Sequence, residues 1–292
     1  MTNAAWPGGL AEDAAWPAPA KLNLFLHVTG RRADGFHTLQ TVFQFLDHGD
    51  SLSFALRTDG RLRRVRGPEQ LPPDDDLVLR AARLLQQTAG VRRGIDIHLD
   101  KRLPLCGGLG GGSSDAATTL VALNALWRLD WPLQRLAELG LQLGADVPVF
   151  VQGRAAWAEG VGERLTPIEL PEPSYLVITP DCQVSTTEIF NAPELKRNSP
   201  PIRMPQFLSG KARNDCWPVV RKRYPQVAQA FDFLAEHAEA RLTGTGASVF
   251  AAFASRESAR AVQDRIPDGW RSFVAQGLNH SPLLARAGGS PN

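Results

Sequence analysis

The chain has 292 residues, 43% of them hydrophobic and 21% charged, and a formal net charge of +2. A chain of this length and composition buries a core large enough to fold without disulfides or a structural metal. The small net charge does not indicate a nucleic-acid or membrane partner, and no run of about 18 apolar residues is present to span a membrane. The cysteines are only three and widely spaced, which favours a reducing compartment. We therefore expect a cytoplasmic protein.

The length predicts two domains, and breaks in periodicity place their limits. Residues 1–16 lack the pattern of a signal peptide and are predicted to be a disordered tail, and residues 285–292 a flexible one. The stretch Glu163–Ser174 contains several prolines and no hydrophobic periodicity, which predicts an interdomain linker. The domains would then span residues 17–165 and 166–284.

The first predicted element is a strand at Lys21–Val28, where alternation places Lys21 and Asn23 on one face. Arg31–Gly35 has the composition of a turn. The arginine-rich segment Arg57–Arg66 contains no aromatic residue, which favours a solvated hairpin tip over a binding patch.

The remaining elements follow from periodicity and capping residues. Helices are predicted at Leu77–Gln87, Asp115–Leu129, Leu133–Leu143, Pro218–Glu239 and Arg256–Arg265. Strands are predicted at Thr41–Leu46, Leu52–Leu56, Ile95–Asp100, Tyr175–Thr179, Ser248–Phe253 and Ser272–Ala275. An acidic triplet at residues 74–76 would cap the first helix. Because helices and strands are mixed without a strict βαβ rhythm, the predicted fold class is α+β.

A glycine-rich loop stands out at Pro104–Ala117 (PLCGGLGGGSSDAA), directly before an apolar helical run. Glycine permits positive φ angles and close approach of another backbone. A helix N-terminus that follows such a loop directs unpaired N–H groups and a positive dipole at one point. The loop therefore predicts an anion site, most simply for a phosphate.

Known phosphate-loop and nucleophile patterns do not fit this loop. No lysine precedes Ser113 or Ser114 where a Walker loop requires one. No frame gives the Gly-x-Gly-x-x-Gly of dinucleotide-binding folds or the Gly-x-Ser-x-Gly of hydrolases. A generic glycine-rich turn remains an alternative, but a serine pair at the start of an alanine-rich helix favours phosphate binding.

The loop resembles the ATP loop of the GHMP kinases, a superfamily of small-molecule kinases. Pro19–Leu24 resembles the first motif of these kinases, and Leu242–Ser248 resembles the third. The resemblance extends over residues 17–282 and is strongest with members whose alcohol substrate carries a cytidine diphosphate group. It implies a two-domain α+β fold with the active site in the cleft between the domains. It also implies phosphoryl transfer from ATP to a hydroxyl group in isoprenoid biosynthesis.

The resemblance implies a nucleotide site and its cofactors, ATP and Mg²⁺. The predicted nucleotide-binding residues are Lys101, Pro104, Leu105, Cys106, Gly107, Gly108, Leu109, Gly110, Gly111, Gly112, Ser113 and Ser114. Lys101 taken alone fits a surface lysine at a strand end equally well. Mg²⁺ would arrive with ATP, with Ser114 as its one candidate protein contact, and no protein-held metal site is expected.

Lys21 and Asp146 match the catalytic pair of the family. Taken alone, an aspartate in Gly144–Pro148 is more typical of a helix cap. As a pair, their chemistry suits the reaction, since Asp146 can take or orient the proton of the attacking hydroxyl. Lys21 would keep Asp146 ionised and offset negative charge near the transferred group.

The resemblance also implies a substrate pocket, for which the predicted residues are Asn23, Phe36, His37, Thr186, Phe190 and Gly244. His37 would hydrogen-bond the cytosine while Phe36 and Phe190 stack on it. Many relatives carry tyrosine at the position of Phe36, so stacking is retained here and a phenol contact is lost. The turn at Gly244 would line the substrate side, although a plain hairpin turn also fits the residues.

Two alternatives stay open on the sequence. One is a GHMP kinase for another alcohol, such as mevalonate or homoserine. The other is a non-catalytic nucleotide- or RNA-binding module with the same fold, against which the presence of both Lys21 and Asp146 speaks. We expect a small-molecule substrate, no nucleic-acid or membrane partner, and a monomer or weak homodimer.

Overall fold

The computed structural model describes residues 15–69 and 71–288. Of the tails predicted at residues 1–16 and 285–292, residues 1–14 and 289–292 lie outside the described residues, and Trp16 already belongs to the first strand. The strands are β1 (Trp16–Arg31), β2 (His37–Arg57), β3 (Leu62–Arg66), β4 (Gly94–Asp100), β5 (Ala156–Glu159), β6 (Arg164–Pro167), β7 (Ser174–Thr179), β8 (Arg241–Leu242), β9 (Val249–Phe253) and β10 (Arg271–Leu278). The helices are α1 (Leu77–Ala89), α2 (Gly111–Leu126), α3 (Leu133–Leu141), α4 (Val147–Gln152), α5 (Thr186–Asn191), α6 (Met204–Leu208), α7 (Trp217–Arg223), α8 (Pro225–Ala235), α9 (Arg256–Gln263) and α10 (Pro282–Arg286).

The described strands form one mixed sheet in the order β3-β4-β2-β10-β7-β9-β8, with β1 and β5 also paired to β2. Only β3 and β4 run parallel to each other within it. β10 joins the two halves, because it pairs with β7 along most of its length and with β2 at Gly277 and Leu278. The α+β prediction is confirmed. No helix among the described residues is long and apolar enough to cross a membrane.

The hairpin of β1 and β2 is longer than predicted. The two strands predicted at Thr41–Leu46 and Leu52–Leu56 are parts of the single strand β2. The polar residues between them do not interrupt it, because Gly49 lies flat against β1 and Asp50 is buried. A Cβ atom at Gly49 would lie 2.2 Å from the carbonyl oxygen of Ala18.

Several other predicted bounds are wrong for identifiable reasons. The arginine-rich segment is not a hairpin tip, because β3 pairs with β4 and Arg57 binds Asp96 at 2.8 Å. The predicted linker contains β6, which pairs with β5. The helix predicted at Pro218–Glu239 is divided at Tyr224, since Pro225 starts a new helix. α10 includes the first residues of the predicted C-terminal tail.

Three groups of buried apolar side chains form the core. One packs α1–α4 against β2 and β4, and a second packs α5 and α7–α9 against β7 and β9. The third lies between them and contains side chains from both halves, among them Phe25, Leu109, Tyr175 and Phe250. Because this third group and β10 join the halves, a domain boundary at residue 165 stays a prediction.

Candidate active site

A cavity of about 960 Å³ opens between the glycine loop, β1, the β1–β2 turn and α5. Most of the predicted site residues line it together. They are Lys21, Asn23, Phe36, His37, Lys101, Pro104, Leu105, Cys106, Gly107, Gly108, Gly110, Gly111, Gly112, Ser113, Asp146, Thr186, Phe190 and Gly244. The structure thus brings together residues from the whole length of the chain. Among the predicted site residues, Leu109 and Ser114 do not line this cavity.

The glycine loop is held by the segment that resembles the third family motif. The carbonyl oxygens of Cys106 and Gly107 accept hydrogen bonds from the backbone N–H groups of Ala247 and Ser248, at 3.4 and 3.2 Å. The hydroxyl of Thr243 donates to the carbonyl of Gly108 at 3.2 Å. Gly108 has φ +72°, and a Cβ atom there would lie 2.3 Å from the carbonyl oxygen of Thr243. Only glycine fits this contact.

α2 begins four residues earlier than predicted, inside the glycine run. Gly110 is its N-cap, with φ +72°, and the N–H group of Ser114 donates to the carbonyl of Gly110 at 2.8 Å. The N–H groups of Gly111, Gly112 and Ser113 therefore have no acceptor within the helix. The three residues line the cavity, and an anion site at their N–H groups stays a prediction.

Leu109 and Ser114 do not line the cavity, so the structure does not support their predicted contact with the nucleotide, which stays a prediction. The side chain of Leu109 is buried in the core group between the two halves. Ser114 is fully buried, and its hydroxyl oxygen has no hydrogen-bond partner among the described residues. Leu109 instead anchors the loop, because its carbonyl accepts from the N–H of Lys21 at 3.0 Å.

Lys21 joins β1, the glycine loop and the α3–α4 turn. Its ammonium nitrogen donates to Oδ1 of Asn23 at 2.5 Å and to the carbonyl of Gly108 at 3.1 Å. It lies 3.3 Å from Oδ2 of Asp146. The Lys21 side chain is 4% exposed and that of Asp146 is 34% exposed. The lysine is therefore a buried cation surrounded by oxygen atoms, and the aspartate reaches from it into the open cavity.

Asp146 occupies the N-cap position of α4, yet its side chain makes no capping hydrogen bond. The helix-cap alternative from the sequence is thus not what the carboxylate does. Pro148 lies in the first turn, where its missing N–H group costs no hydrogen bond. The carboxylate remains free to accept a proton or a hydrogen bond from a ligand.

Asn23 has a different set of contacts from those predicted. Its amide oxygen accepts from Lys21, and its amide nitrogen donates to the hydroxyl of Thr41 at 3.0 Å. Its backbone N–H donates to the hydroxyl of Thr243, also at 3.0 Å. These bonds hold Lys21 and the glycine loop in place. Contact with substrate stays a prediction for this residue.

Lys101 lies between two buried carboxylates. Its ammonium nitrogen is 2.6 Å from Oδ2 of Asp50 and 2.6 Å from Oδ2 of Asp115. Burial raises the pKa of Asp115, and the neighbouring carboxylate of Asp50 acts in the same direction. The Lys101 ammonium, which the two carboxylates share, opposes this shift. The N–H groups of Arg102 and Leu103 also donate to Asp50. Lys101 is therefore a structural link first, and its nucleotide contact stays a prediction.

At the other end of the cavity, Phe36 is 63% exposed and His37 is buried. The rings of His37 and Phe190 stack with their centroids 5.1 Å apart. Nε2 of His37 accepts from Nε of Arg197 at 3.0 Å. Burial, followed by the charges of Arg197 and Arg31, lowers the pKa of His37 below its ordinary value of 6.5. His37 is consequently a neutral imidazole near pH 7.

Thr186 and Gly244 border the same end. The hydroxyls of Thr186 and Thr245 lie 3.0 Å apart. Gly244 has φ +57°, and its carbonyl accepts from the side chain of Asn214 at 2.8 Å. The turn is thus held mainly by contacts within the protein, so its predicted role as a donor to substrate stays a prediction.

The described residues contain no group of three or more His, Cys, Asp or Glu side chains that could hold a metal ion. That Mg²⁺ would come with the nucleotide stays a prediction. Ser114, the one candidate protein contact, is buried away from the cavity, so the structure gives no support for that contact.

Comparison with known proteins defines the class. Residues 76–154 match the family of GHMP kinase N-terminal domains, and residues 206–272 match that of GHMP kinase C-terminal domains. Both matches lie on the halves that form the cavity. The chain belongs to the GHMP kinases.

More similar proteins narrow the assignment. A 4-diphosphocytidyl-2-C-methyl-D-erythritol kinase of Alkalilimnicola ehrlichii is 60% identical over 94% of this chain and 94% of its own. One of Pseudomonas paraeruginosa is 58% identical over 94% of this chain and 97% of its own. A crystal structure of 4-(cytidine 5'-diphospho)-2C-methyl-D-erythritol kinase is 32% identical, with TM-score 0.78 over 90% of this chain and 98% of that chain. Within the GHMP kinases, the chain belongs to the family of 4-diphosphocytidyl-2-C-methyl-D-erythritol kinases.

Several residues of the site have a role that the sequence did not reveal. Asp115 and Thr243 lie inside the family motifs but have no assigned role there, Asp50 is an ordinary polar position, and Arg197 is part of a proline-rich loop. Each becomes significant only through partners far along the chain. The one usable hint is Asp115, an acidic residue inside the first two turns of an otherwise apolar helix.

Proposed function

We propose that this protein transfers the terminal phosphoryl group of ATP to the 2-hydroxyl of 4-diphosphocytidyl-2-C-methyl-D-erythritol. The products would be ADP and the 2-phosphate, an intermediate of isoprenoid biosynthesis. The observation that carries the proposal is the position of Lys21, which contacts Asp146, Asn23 and the glycine-loop carbonyl of Gly108 at once. These contacts support a role for Asp146 as the base and for the adjacent glycine loop as the phosphate site of the same cavity.

Asp146 acts on the attacking hydroxyl. Its carboxylate is accessible from the cavity, and its Oδ2 lies 3.3 Å from the Lys21 ammonium. The carboxylate orients the hydroxyl and accepts its proton as the new bond to phosphorus forms. Lys21 fixes the orientation of the carboxylate and supplies positive charge next to the transferred group.

The glycine loop binds the phosphate groups of ATP. The unpaired N–H groups at the start of α2 face the cavity, and the helix dipole adds positive potential there. Thr243, Ala247 and Ser248 hold the loop carbonyls, so the N–H groups are fixed before the nucleotide arrives. Mg²⁺, when it accompanies ATP, supplies charge neutralisation of the phosphates.

The turn between β1 and β2 binds the cytidine end of the acceptor. His37 provides a hydrogen bond to the base, and Phe36 provides an exposed ring to stack on it. The ring of Phe190 stacks on His37 and is not free to stack on the base opposite Phe36. Its contribution is to hold the imidazole of His37 in place. We further propose that the protein works in the cytoplasm as a monomer or weak homodimer, without nucleic-acid or membrane partners.

The test is an ADP-release assay with purified protein, ATP, Mg²⁺ and 4-diphosphocytidyl-2-C-methyl-D-erythritol. We expect stoichiometric ADP and phosphorylated product. Parallel reactions replace the acceptor with 2-C-methyl-D-erythritol 4-phosphate, mevalonate or homoserine. Turnover of one of these in preference to the cytidine compound would contradict the proposal and support a different GHMP kinase. Nucleotide binding without turnover of any acceptor would support the non-catalytic alternative.

A further inference from the structure

We propose that Arg197 fixes the tautomer of His37, so that the imidazole offers the bound pyrimidine only a hydrogen-bond donor and thereby selects cytosine over uracil. Arg197 would be a positioning residue that acts through His37. This inference rests on the proposed function for its cytidine substrate. The tautomer of His37 is a property of the free protein and does not depend on any substrate.

The tautomer follows from the contact between the two side chains. Nε of Arg197 lies 3.0 Å from Nε2 of His37. A guanidinium group can only donate, so Nε2 has to offer its lone pair. In a neutral imidazole the proton then lies on Nδ1. No described residue accepts a hydrogen bond from Nδ1, which leaves its N–H group for a ligand in the cavity that His37 lines.

The guanidinium is held firmly enough to enforce this arrangement. Nη1 of Arg197 donates to the carbonyl of Leu195 at 3.0 Å. Nη2 donates to the carbonyls of Phe190 and Ala192, both at 2.7 Å. All three nitrogen atoms are therefore engaged, and rotation of the group away from His37 would break several bonds at once.

The charge of Arg197 acts in the same direction. Among the described residues no carboxylate lies within ion-pair distance of it, so the positive charge beside His37 is not neutralised by a partner. A second cation, Arg31, also acts on the imidazole. The positive charges of Arg197 and Arg31 both oppose the binding of a second proton to His37. Such a proton would make Nε2 a donor, which could no longer accept the hydrogen bond from Nε of Arg197.

A donor-only imidazole distinguishes the two pyrimidines. N3 of cytosine is an acceptor, whereas N3 of uracil carries a hydrogen. The Nδ1–H group of His37 can bond to the first and would oppose the second, leaving two buried donors unpaired. A site built on such a hydrogen bond discriminates strongly between analogues that differ in it. Without Arg197, the imidazole could switch tautomer and accept from the N–H of uracil.

The first experiment reads the tautomer in the free wild-type protein by ¹⁵N NMR of its histidine side chains, with His37 assigned by comparison with His37→Asn. We expect a protonated Nδ1 and an unprotonated Nε2 for His37 near neutral pH. Protonation at Nε2, or at both nitrogens, would overturn the inference. This measurement involves no substrate, so it is independent of whether the proposed function holds.

The second experiment compares kcat/KM for the cytidine substrate and for its uridine analogue. In Arg197→Met we expect the cytidine preference to fall by about tenfold or more, with kcat for the cytidine substrate changed by no more than about threefold. Lys196→Met, which removes the adjacent exposed cation, is the matched control and should keep the preference. Arg197→Lys, which keeps the charge without the planar fork, should also lose preference.

A merely structural role for Arg197 gives a different result. In that case both pyrimidine substrates would lose kcat/KM equally, and the ratio between them would stay at the wild-type value. That outcome would overturn the inference, as would an unchanged NMR tautomer in Arg197→Met. Failure of the wild-type enzyme to phosphorylate either compound would instead contradict the proposed function.

Discussion

Nζ of Lys21 lies 3.3 Å from Oδ2 of Asp146, and the same nitrogen donates to the carbonyl of Gly108. The three residues come from β1, the turn before α4, and the glycine loop. One buried ammonium group thus fixes the distance between the candidate base and the glycine loop.

Replacing Asp146 by asparagine should lower kcat by roughly 10²- to 10⁴-fold, because an amide cannot accept the proton of the attacking hydroxyl. Affinity for ATP should be retained, since Asp146 does not belong to the glycine loop. Steady-state kinetics and calorimetric titration with ATP measure the two effects. The exposed Asp268→Asn is the control variant and should behave as wild type. An unchanged kcat in Asp146→Asn would remove Asp146 from its proposed role.

Gly108→Ala should weaken ATP binding and destabilise the fold. Its φ of +72° alone costs an alanine about 1–2 kcal/mol. In addition, the new Cβ would lie 2.3 Å from the carbonyl of Thr243, which forces the glycine loop off the segment that holds it.

Gly210→Ala is a matched control for this substitution. Gly210 has a nearly equal φ of +75° but no atom within 4 Å of the position of a Cβ. It should show only the backbone cost in a denaturant unfolding experiment, with ATP affinity unchanged. Equal effects of the two substitutions would show that the close approach to Thr243 does not matter.

Lys101→Met should destabilise the protein by about 3–5 kcal/mol, because it leaves the buried carboxylates of Asp50 and Asp115 without their shared cation. Asp115→Asn should cost much less, since one of two carboxylates on a single ammonium already tends to be protonated. Urea unfolding measures the free energy of unfolding of Lys101→Met and Asp115→Asn, with the exposed Lys211→Met as the control variant. If Lys101 served only the nucleotide, its loss would raise KM for ATP and leave stability unchanged.

Stability should decrease as the pH falls from about 7 to about 5. Burial lowers the pKa values of His27, His37, His48 and His98 below the ordinary 6.5. For these four histidines the unfolded chain binds more protons than the folded one between the lowered pKa values and 6.5, so their titration favours unfolding in acid. Asp115, whose pKa burial raises, acts in the opposite direction, and we expect the four histidines to outweigh it. The unfolding free energy at several pH values measures this. A free energy that stays constant or rises toward pH 5 would contradict it.

The shared cavity of the glycine loop, Lys21 and Asp146 could be predicted from the sequence because the signals are local. A glycine run before a helix indicates an anion site by itself, and the family motifs predict Lys21 and Asp146 as a pair. The lengths of the strands were harder to predict from the sequence. The polar residues Asp47–Asp50 look like a break between two strands, but β2 continues through them because Gly49 packs against β1. Contacts such as Lys101 with Asp50, or Arg197 with His37, depend on tertiary structure and leave no periodic pattern.

The same reason explains the two predicted contacts that the structure does not support. Leu109 and Ser114 lie within the motif, and motif membership alone suggested that they face the nucleotide. The turn at Gly110 and the early start of α2 decide instead which residues point outward. Leu109 and Ser114 are therefore buried in the protein, while the motif residues next to them line the cavity.

The position of the transferred phosphate gives the most direct test of the central claim. C2 of the acceptor carries a methyl group and no hydrogen, whereas C1 and C3 carry hydrogens. In a proton-coupled ³¹P NMR spectrum of the product formed from ATP and 4-diphosphocytidyl-2-C-methyl-D-erythritol, we predict a new phosphomonoester singlet. A doublet or triplet would place the phosphate on another hydroxyl, and the absence of a new phosphomonoester signal would contradict the kinase activity itself.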